Sequence, residues 1–460
     1  MSQKPLAENK MGVVPVGKLL FSMAMPMILS MVVQALFNVV DSIYVSRVSE
    51  SAVTALSLAF PIQNLQIGFA VGVGVGVNAL LSKSLGERNQ DVANYAAGNG
   101  LFLALVCTVL FMLFGFFGTR PYYMMQNTTV ETAENGIAYT SICCIFTLGI
   151  FVEVLGERLL QATGRTVYTL FSQGLGAVAN IILDPVFIFG SDALGIPAMG
   201  VTGAAVATVI GQWMAAALAV VFNFKFNPDV RFGLKYLRPT AGAIRPILTV
   251  GVPSAIMNGI GSITNFTMNQ ILLGFQGVGE TASGVFGIYF KLQSFFFMPL
   301  FGLNNASISI VAYNYGARKP ERITKTLKIA FGTALTLMIL GTLAFQLIPE
   351  VLLGLFNPSE AFLEIGCGAL QTISFHFPIA AFSIVMISSF QALGNGIYST
   401  IVSLCRQLIA LLPAAYLLSL SGNVHHVWWS FCIAELVSAA VCLFFFLRIY
   451  RQKIRPFLEK

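Results

Sequence analysis

A chain of 460 residues that is 56% hydrophobic and only 10% charged cannot cover a water-facing surface with charge, so a soluble globular protein is excluded. Its mean hydropathy of +0.80 is that of a polytopic membrane protein. The formal charge of +7 is dispersed over short loops rather than gathered into a patch, which argues for membrane orientation and against nucleic-acid binding.

Lys4, Lys10 and Lys18 precede the first apolar stretch, which is too long for a signal-peptide core and is followed by no small-residue cleavage site, so it is read as a retained helix. In chain order, windows long enough to cross a ~30 Å hydrocarbon core fall at roughly 19–46, 53–81, 93–117, 136–162, 167–190 and 199–223. A second set falls at roughly 244–275, 282–313, 327–348, 366–392, 398–420 and 428–449. The prediction is an all-α polytopic membrane protein with twelve transmembrane helices. With both termini inside, Lys and Arg crowd the cytoplasmic loops, and the opposite side holds only Arg47 and Arg120. Lys291 and Arg406 fall inside predicted helices 8 and 11.

The basic segment from Asn223 to Arg245, interrupted by Pro228, Gly233 and Pro239, divides the chain into a six-helix lobe over 1–223, a loop over 224–243 and a second six-helix lobe over 244–460. The halves are related. Gln161-Ala-Thr-Gly164-Arg-Thr-Val-Tyr168 recurs 230 positions later as Gln391-Ala-Leu-Gly394-Asn-Gly-Ile-Tyr398, and Leu85-Gly86-Glu-Arg88 recurs at the same offset as Tyr315-Gly316-Ala-Arg318. Pro26 and Asn38 match Pro253 and Asn265 at an offset of 227. Both copies begin on the same side, so the two bundles are predicted to be pseudo-symmetric about an axis along the membrane normal, with a cavity between them.

Asn180 and Asp184 stand one helical turn apart in an apolar run. A carboxylate inside a membrane helix is costly and normally faces a protein interior or a water-filled cavity, so Asp184 is a functional candidate. Alternating helix direction places Asp41, Tyr139, Asn180, Asp184 and Thr202 at one depth, near the outer ends of predicted helices 1, 4, 5 and 6. Carboxylates, an amide and hydroxyls are oxygen ligands suited to a hard cation such as Na⁺, and two desolvated carboxyl groups can instead share a proton. At the 230 offset Asn180 and Asp184 become Ala410 and Ala414, so the second half keeps the repeat without those polar groups.

Glu153, Glu157 and Gln161 share one face of predicted helix 4. Glu153 lies deep enough to attract a cationic substrate, whereas Glu157 beside Arg158 reads as structural. Gln161, Gln391, Asn38, Asn265 and Lys291 complete the residues expected to line the cavity. Glu435, Arg406 and His376 have no convergent partner in the sequence and are read as structural. Pro26, Pro185, Pro253 and Pro413 are predicted to kink their helices. The glycines at 68, 72, 74 and 76 are read as close-packing positions, since no Gly-Lys-Ser/Thr of a phosphate loop follows. None of the seven cysteines has metal-ligand spacing, and no transition-metal site or cofactor is predicted beyond a coupling ion, Na⁺ or H⁺.

These residues resemble the multidrug and toxic compound extrusion (MATE) family. The likeness rests on Asn38-Val-Val-Asp41-Ser, Ala55-Leu-Ser-Leu-Ala-Phe-Pro61, Gln161-Ala-Thr-Gly164, Asn180 to Asp184-Pro185 and Tyr313-Asn-Tyr-Gly316-Ala. It is similar to bacterial members without an acid on helix 7, because none occurs between Pro253 and Phe275. The resemblance implies a plasma-membrane antiporter, not an enzyme, that couples Na⁺ or H⁺ entry to export of lipophilic, mostly cationic compounds. It further implies that Asp41, Asn180, Asp184 and Thr202 form a cation site. A monomer with both termini cytoplasmic is expected. The competing reading is a lipid-linked oligosaccharide or lipid-intermediate flippase, whose cavity would need several Arg or Lys for a pyrophosphate, and only Lys291 and Arg406 are candidates. A membrane-embedded transferase would need an aspartate-rich metal-diphosphate motif, which the sequence lacks.

Overall fold

The structure, a computed structural model, describes residues 9–126, 128–356 and 359–458, without the side chains at 35, 37–43, 46, 50, 53, 194 and 458. Among the described residues the regular structure is helical, apart from one isolated bridge between Ser191 and Ile196. The spans are α1 (Val16–Ser46), α2 (Glu50–Gly86), α3 (Gln90–Met124), α4 (Val130–Ile145 with Leu148–Ala162), α5 (Val167–Ile188) and α6 (Gly200–Phe226). A loop carrying one 3₁₀ turn, Leu234–Leu237, leads to α7 (Ala241–Leu273), α8 (Gly279–Gly316), α9 (Pro320–Leu347), α10 (Glu360–Ser374 with Phe377–Ala392), α11 (Gly396–Ser419) and α12 (Val424–Phe457). Ten of these helices are individually long and apolar enough to cross a membrane, and α4 and α10 are bent pairs that each count as one span. The all-α polytopic fold is thus the one predicted, window by window.

Polar side chains mark the starts of several spans. Ser49, Asn89, Thr129 and Ser359 each accept from the backbone N–H three residues on, satisfying one of the donors that a helix start leaves free. Pro26, Pro185 and Pro253 lie within continuous helices; α4 bends by 47° around Phe146, and α10 bends by 49° around His376, just before Pro378, the two bends being 230 positions apart. Carbonyls near each bend are taken up by side chains of neighbouring helices. Trp213 Nε1 donates to Phe146 O at 3.2 Å, Gln346 Nε2 to Gln371 O at 2.7 Å, and Thr342 Oγ1 to Ser374 O at 3.0 Å. A break at membrane depth is tolerated when neighbours satisfy the freed groups, and here those neighbours come from other helices. Pro413 differs: the turn before it widens to a π-helix over Cys405–Leu411.

The first half of α1 packs into the apolar core of the C-terminal half, where Leu19, Leu20, Met23 and Met27 join Leu300 and Leu303 of α8. α1 also packs along α5, so it touches both halves. α2 and α8, with 37 and 38 residues, are about 55 Å long at 1.5 Å per residue and exceed the bilayer core. Their ends meet beside residues 11–14 and Phe457. A Cβ on Gly86 would overlap the Tyr313 carbonyl, and one on Gly316 would overlap the Lys83 carbonyl, so the paired glycines of the repeated motif are what let the two backbones touch. Arg88 and Arg318, two residues further on, both adopt left-handed backbone angles (φ 57° and 54°), which ends each helix the same way.

Contacts between the halves run from Asn64 Nδ2 donating to Ser262 Oγ at 3.2 Å, through Ser309 Oγ donating to Asn78 Oδ1 at 3.0 Å, to this end. The N-terminal segment seals it. Met11 is fully buried, its carbonyl accepts from Asn314 Nδ2 at 3.1 Å and Arg322 Nη2 at 3.0 Å, and Asn9 Nδ2 donates to Thr163 O at 3.3 Å.

Candidate ion and substrate site

α5 and α6 approach closely where Gly176 faces Gly211, each positioned so that a Cβ would press on the other's carbonyl. That approach sets the next turn of α5 against α6. Asn180 Nδ2 donates to Asp184 Oδ1 and to Thr208 Oγ1, both at 3.3 Å. Asp184 is 0% exposed and Asn180 3%. Near the same end of α4, Tyr139 is buried and its hydroxyl accepts from Gln63 Nε2 at 3.0 Å. Tyr139 shares an apolar cluster with Val45, Ile188, Val201, Ala204 and Ala205, which draws the ends of α1, α4, α5 and α6 together. Thr202 stands half-buried in the first turn of α6, within that convergence. Asn38 and Asp41 lie outside the residues whose side chains are described. Asn180 Oδ1 is buried and accepts no hydrogen bond from the protein, so the pair retains an amide oxygen of the type a hard cation takes.

The residues assigned to the cavity divide. Glu153 and Asn265 are half-buried, and Lys291 is exposed on α8. Gln161 and Gln391 are buried and hydrogen-bonded within the protein: Gln161 Oε1 accepts from Arg158 Nη1 at 2.9 Å, and Gln391 Nε2 donates to Ser254 Oγ at 3.1 Å. The reason lies in their helix ends, where neighbouring helices are tightly packed and an amide must find a protein partner. Glu157 is buried and structural, its oxygens accepting from Ser172 Oγ at 3.2 Å and Gln173 Nε2 at 2.9 Å on α5.

The MatE family model matches residues 26–186 and again 253–417. The chain belongs to the MatE family. The matched stretches open on Pro26 and Pro253, the pair that marks the internal repeat. Among curated proteins the chain is 23% identical over 443 residues to the multidrug export protein MepA of Staphylococcus saprophyticus, covering 95% of this chain and 94% of that one. It is 23% identical over 441 residues to the FAD transporter of Shewanella oneidensis, covering 95% of both. The solved outward-facing structure of a multidrug resistance MATE family transporter superposes with a TM-score of 0.90 at 24% identity over 100% of both chains. As a MatE protein this is a multi-pass membrane transporter and not an enzyme.

The C-terminal half of this MatE chain corrects one reading of the sequence. Arg406 and Glu435, for which no partner was legible, form an ion pair between α11 and α12 at 3.6 Å. Tyr289 of α8 is fully buried, and its hydroxyl, like Glu435 Oε1, makes no hydrogen bond to protein. His376 is structural: Nδ1 lies 2.6 Å from Ile373 O, and the ring packs among Phe297, Phe377 and Phe431. Other polar contributors were missed in the N-terminal half. Gln63, Gln66 and Thr208 all contact residues of the site or the α4 bend, Gln66 Nε2 donating to Thr147 Oγ1 at 3.1 Å. The available signal was their type and spacing, since Gln63 and Gln66 are amides one turn apart within an apolar run.

Proposed function

We propose that this transporter is a cation-coupled antiporter, driven by H⁺ or Na⁺, that exports lipophilic and mostly cationic compounds across the plasma membrane. The observation that carries the reading is the buried Asn180–Asp184 pair on α5, inside a bundle whose other helices contribute Tyr139 and Thr202 at the same end. The name of the staphylococcal relative supports drug export, and Asp41 is assigned to the same cation site. With the termini cytoplasmic, as the Lys and Arg distribution supports, the sealed end is the cytoplasmic one and the path between the halves opens outward. Cation entry at Asp184 and Asn180 then supplies differential affinity between conformations, which is the only way an ion can drive the cycle.

Glu153 and Asn265 serve as polar groups for the exported compound, and Lys291 tunes its charge preference. A substrate rich in phosphate, as the name of the Shewanella relative suggests for that protein, needs a cationic wall. Of the two cations predicted inside the membrane, Arg406 is already neutralised by Glu435, which favours the cationic class over a flippase of lipid-linked pyrophosphates. Accumulation of a fluorescent organic cation in cells expressing the chain, with and without an imposed Na⁺ or proton gradient, tests the proposal. Gradient-dependent loss of dye is the expected result, and equal accumulation with and without the chain would overturn it.

A further inference from the structure

A cavity of about 500 Å³ lies away from the proposed ion site, on the flank of the N-terminal half. Its floor is Leu155 of α4, its walls are Ala97 and Leu101 of α3 and Val220 and Phe224 of α6, and the loop between the halves roofs it. The roof is anchored through its main chain. Asn99 Nδ2 donates to Tyr236 O at 3.0 Å and Arg238 O at 3.2 Å, Thr240 N donates to Asn99 Oδ1 at 2.8 Å, and Arg231 N donates to Asn94 Oδ1 at 2.8 Å. With its backbone satisfied by α3, the loop turns apolar side chains outward: Leu234 is 85% exposed and, beside it at the end of α6, Phe224 is 68% exposed. The same stretch carries Lys225, Arg231, Lys235 and Arg238. Exposed apolar groups interleaved with cations are the composition of a segment lying in a bilayer interface.

Arg231 lines the cavity mouth. Arg165 is paired with Asp229 at 3.3 Å and Lys235 lies 3.9 Å from Asp91, while Arg231, like Lys225 and Arg238, has no carboxylate partner among the described residues, and it is the one of these three that lines the cavity. An apolar groove at headgroup depth with an unneutralised guanidinium at its mouth complements one occupant: a lipid whose tail is apolar and whose phosphate carries net charge. We propose that this groove binds an anionic phospholipid, one acyl chain between α3 and α6 and the headgroup phosphate at Arg231. Because the roof is the link between α6 and α7, occupancy holds the connection between the halves in place and makes their relative motion sensitive to the charge of the inner leaflet.

Binding is measured without transport, so the outcome is separate from that of the antiport proposal. The purified full chain is titrated with phosphatidylglycerol, with phosphatidylcholine of the same chains and with inorganic phosphate, and native mass spectrometry and thermal unfolding are read. Phosphatidylglycerol should be retained and should raise the melting temperature more than the other two. Arg231→Gln should weaken its binding roughly fivefold, the effect of one interfacial cation, and Arg231→Lys should restore most of it. Val220→Trp, which fills the groove, should displace the lipid with Arg231 intact. Equal binding of phosphatidylcholine, equal stabilisation by phosphate alone, or unchanged phosphatidylglycerol affinity in Arg231→Gln would each overturn the proposal. Arg231→Gln is exposed and leaves the fold intact, so it decides the matter even if Val220→Trp misfolds.

Discussion

Arg406 Nη1 stands 3.6 Å from Glu435 Oε2, joining α11 to α12 in the interior of the C-terminal half, where Glu435 is 3% exposed. Removing one member of a buried pair strands the other charge and costs about 3 kcal/mol or more, whereas replacing both with apolar groups is often neutral. Arg406→Met should therefore lower the melting temperature in detergent clearly, and Arg406→Met/Glu435→Leu should recover most of the loss. A double variant as unstable as the sum of the single ones would show that the two residues act independently.

At the sealed end, Gly86 and Gly316 allow α2 and α8 to touch. Gly86→Val places a branched side chain against the Tyr313 carbonyl and should hold that end apart. Spin labels at 83 and 318 should report a longer distance than in the parent protein, and transport should fall although insertion is normal. An unchanged distance would mean that the helices absorb the extra volume without separating.

The N-terminal segment makes a second seal. Arg322 donates to Met11 O at 3.0 Å and Val14 O at 2.7 Å, and Lys319 Nζ donates to Gly12 O at 3.0 Å. Hydrogen bonds from charged donors contribute about 1.5–3 kcal/mol each. Arg322→Ala should speed amide hydrogen exchange across residues 11–14 at least tenfold, with little change in α5 and α6. Exchange as slow as in the parent protein would assign the seal to Met11 packing alone.

At the proposed ion site, Asp184→Asn removes the charge and its insertion cost while keeping the shape, so the variant should insert normally. It should lose gradient-driven export and keep substrate binding, as should Asp41→Asn. Asn180→Ala, which removes the donor to Asp184 and Thr208, should weaken the ion response less severely. Wild-type export by the Asp41→Asn/Asp184→Asn double variant, at equal expression, would reduce the cluster to scaffolding.

By itself the sequence determined everything that depends on spacing along one helix. Twelve apolar windows, the 230-residue repeat and the shared face of Asn180 and Asp184 are consequences of a fixed rise and period, and each is visible before any helix meets another. What only the tertiary structure decided involves register between helices. The Arg406–Glu435 pair joins residues 29 positions apart on different spans, Thr208 reaches Asn180 across the α5/α6 contact, and Gln161 and Gln391 find their partners in Arg158 and Ser254. The bends show the same physics. Pro378, just after the bend around His376, is visible in the sequence, but the carbonyls near that bend and the one around Phe146 are satisfied by Thr342, Gln346 and Trp213, whose arrival depends on how neighbouring helices pack.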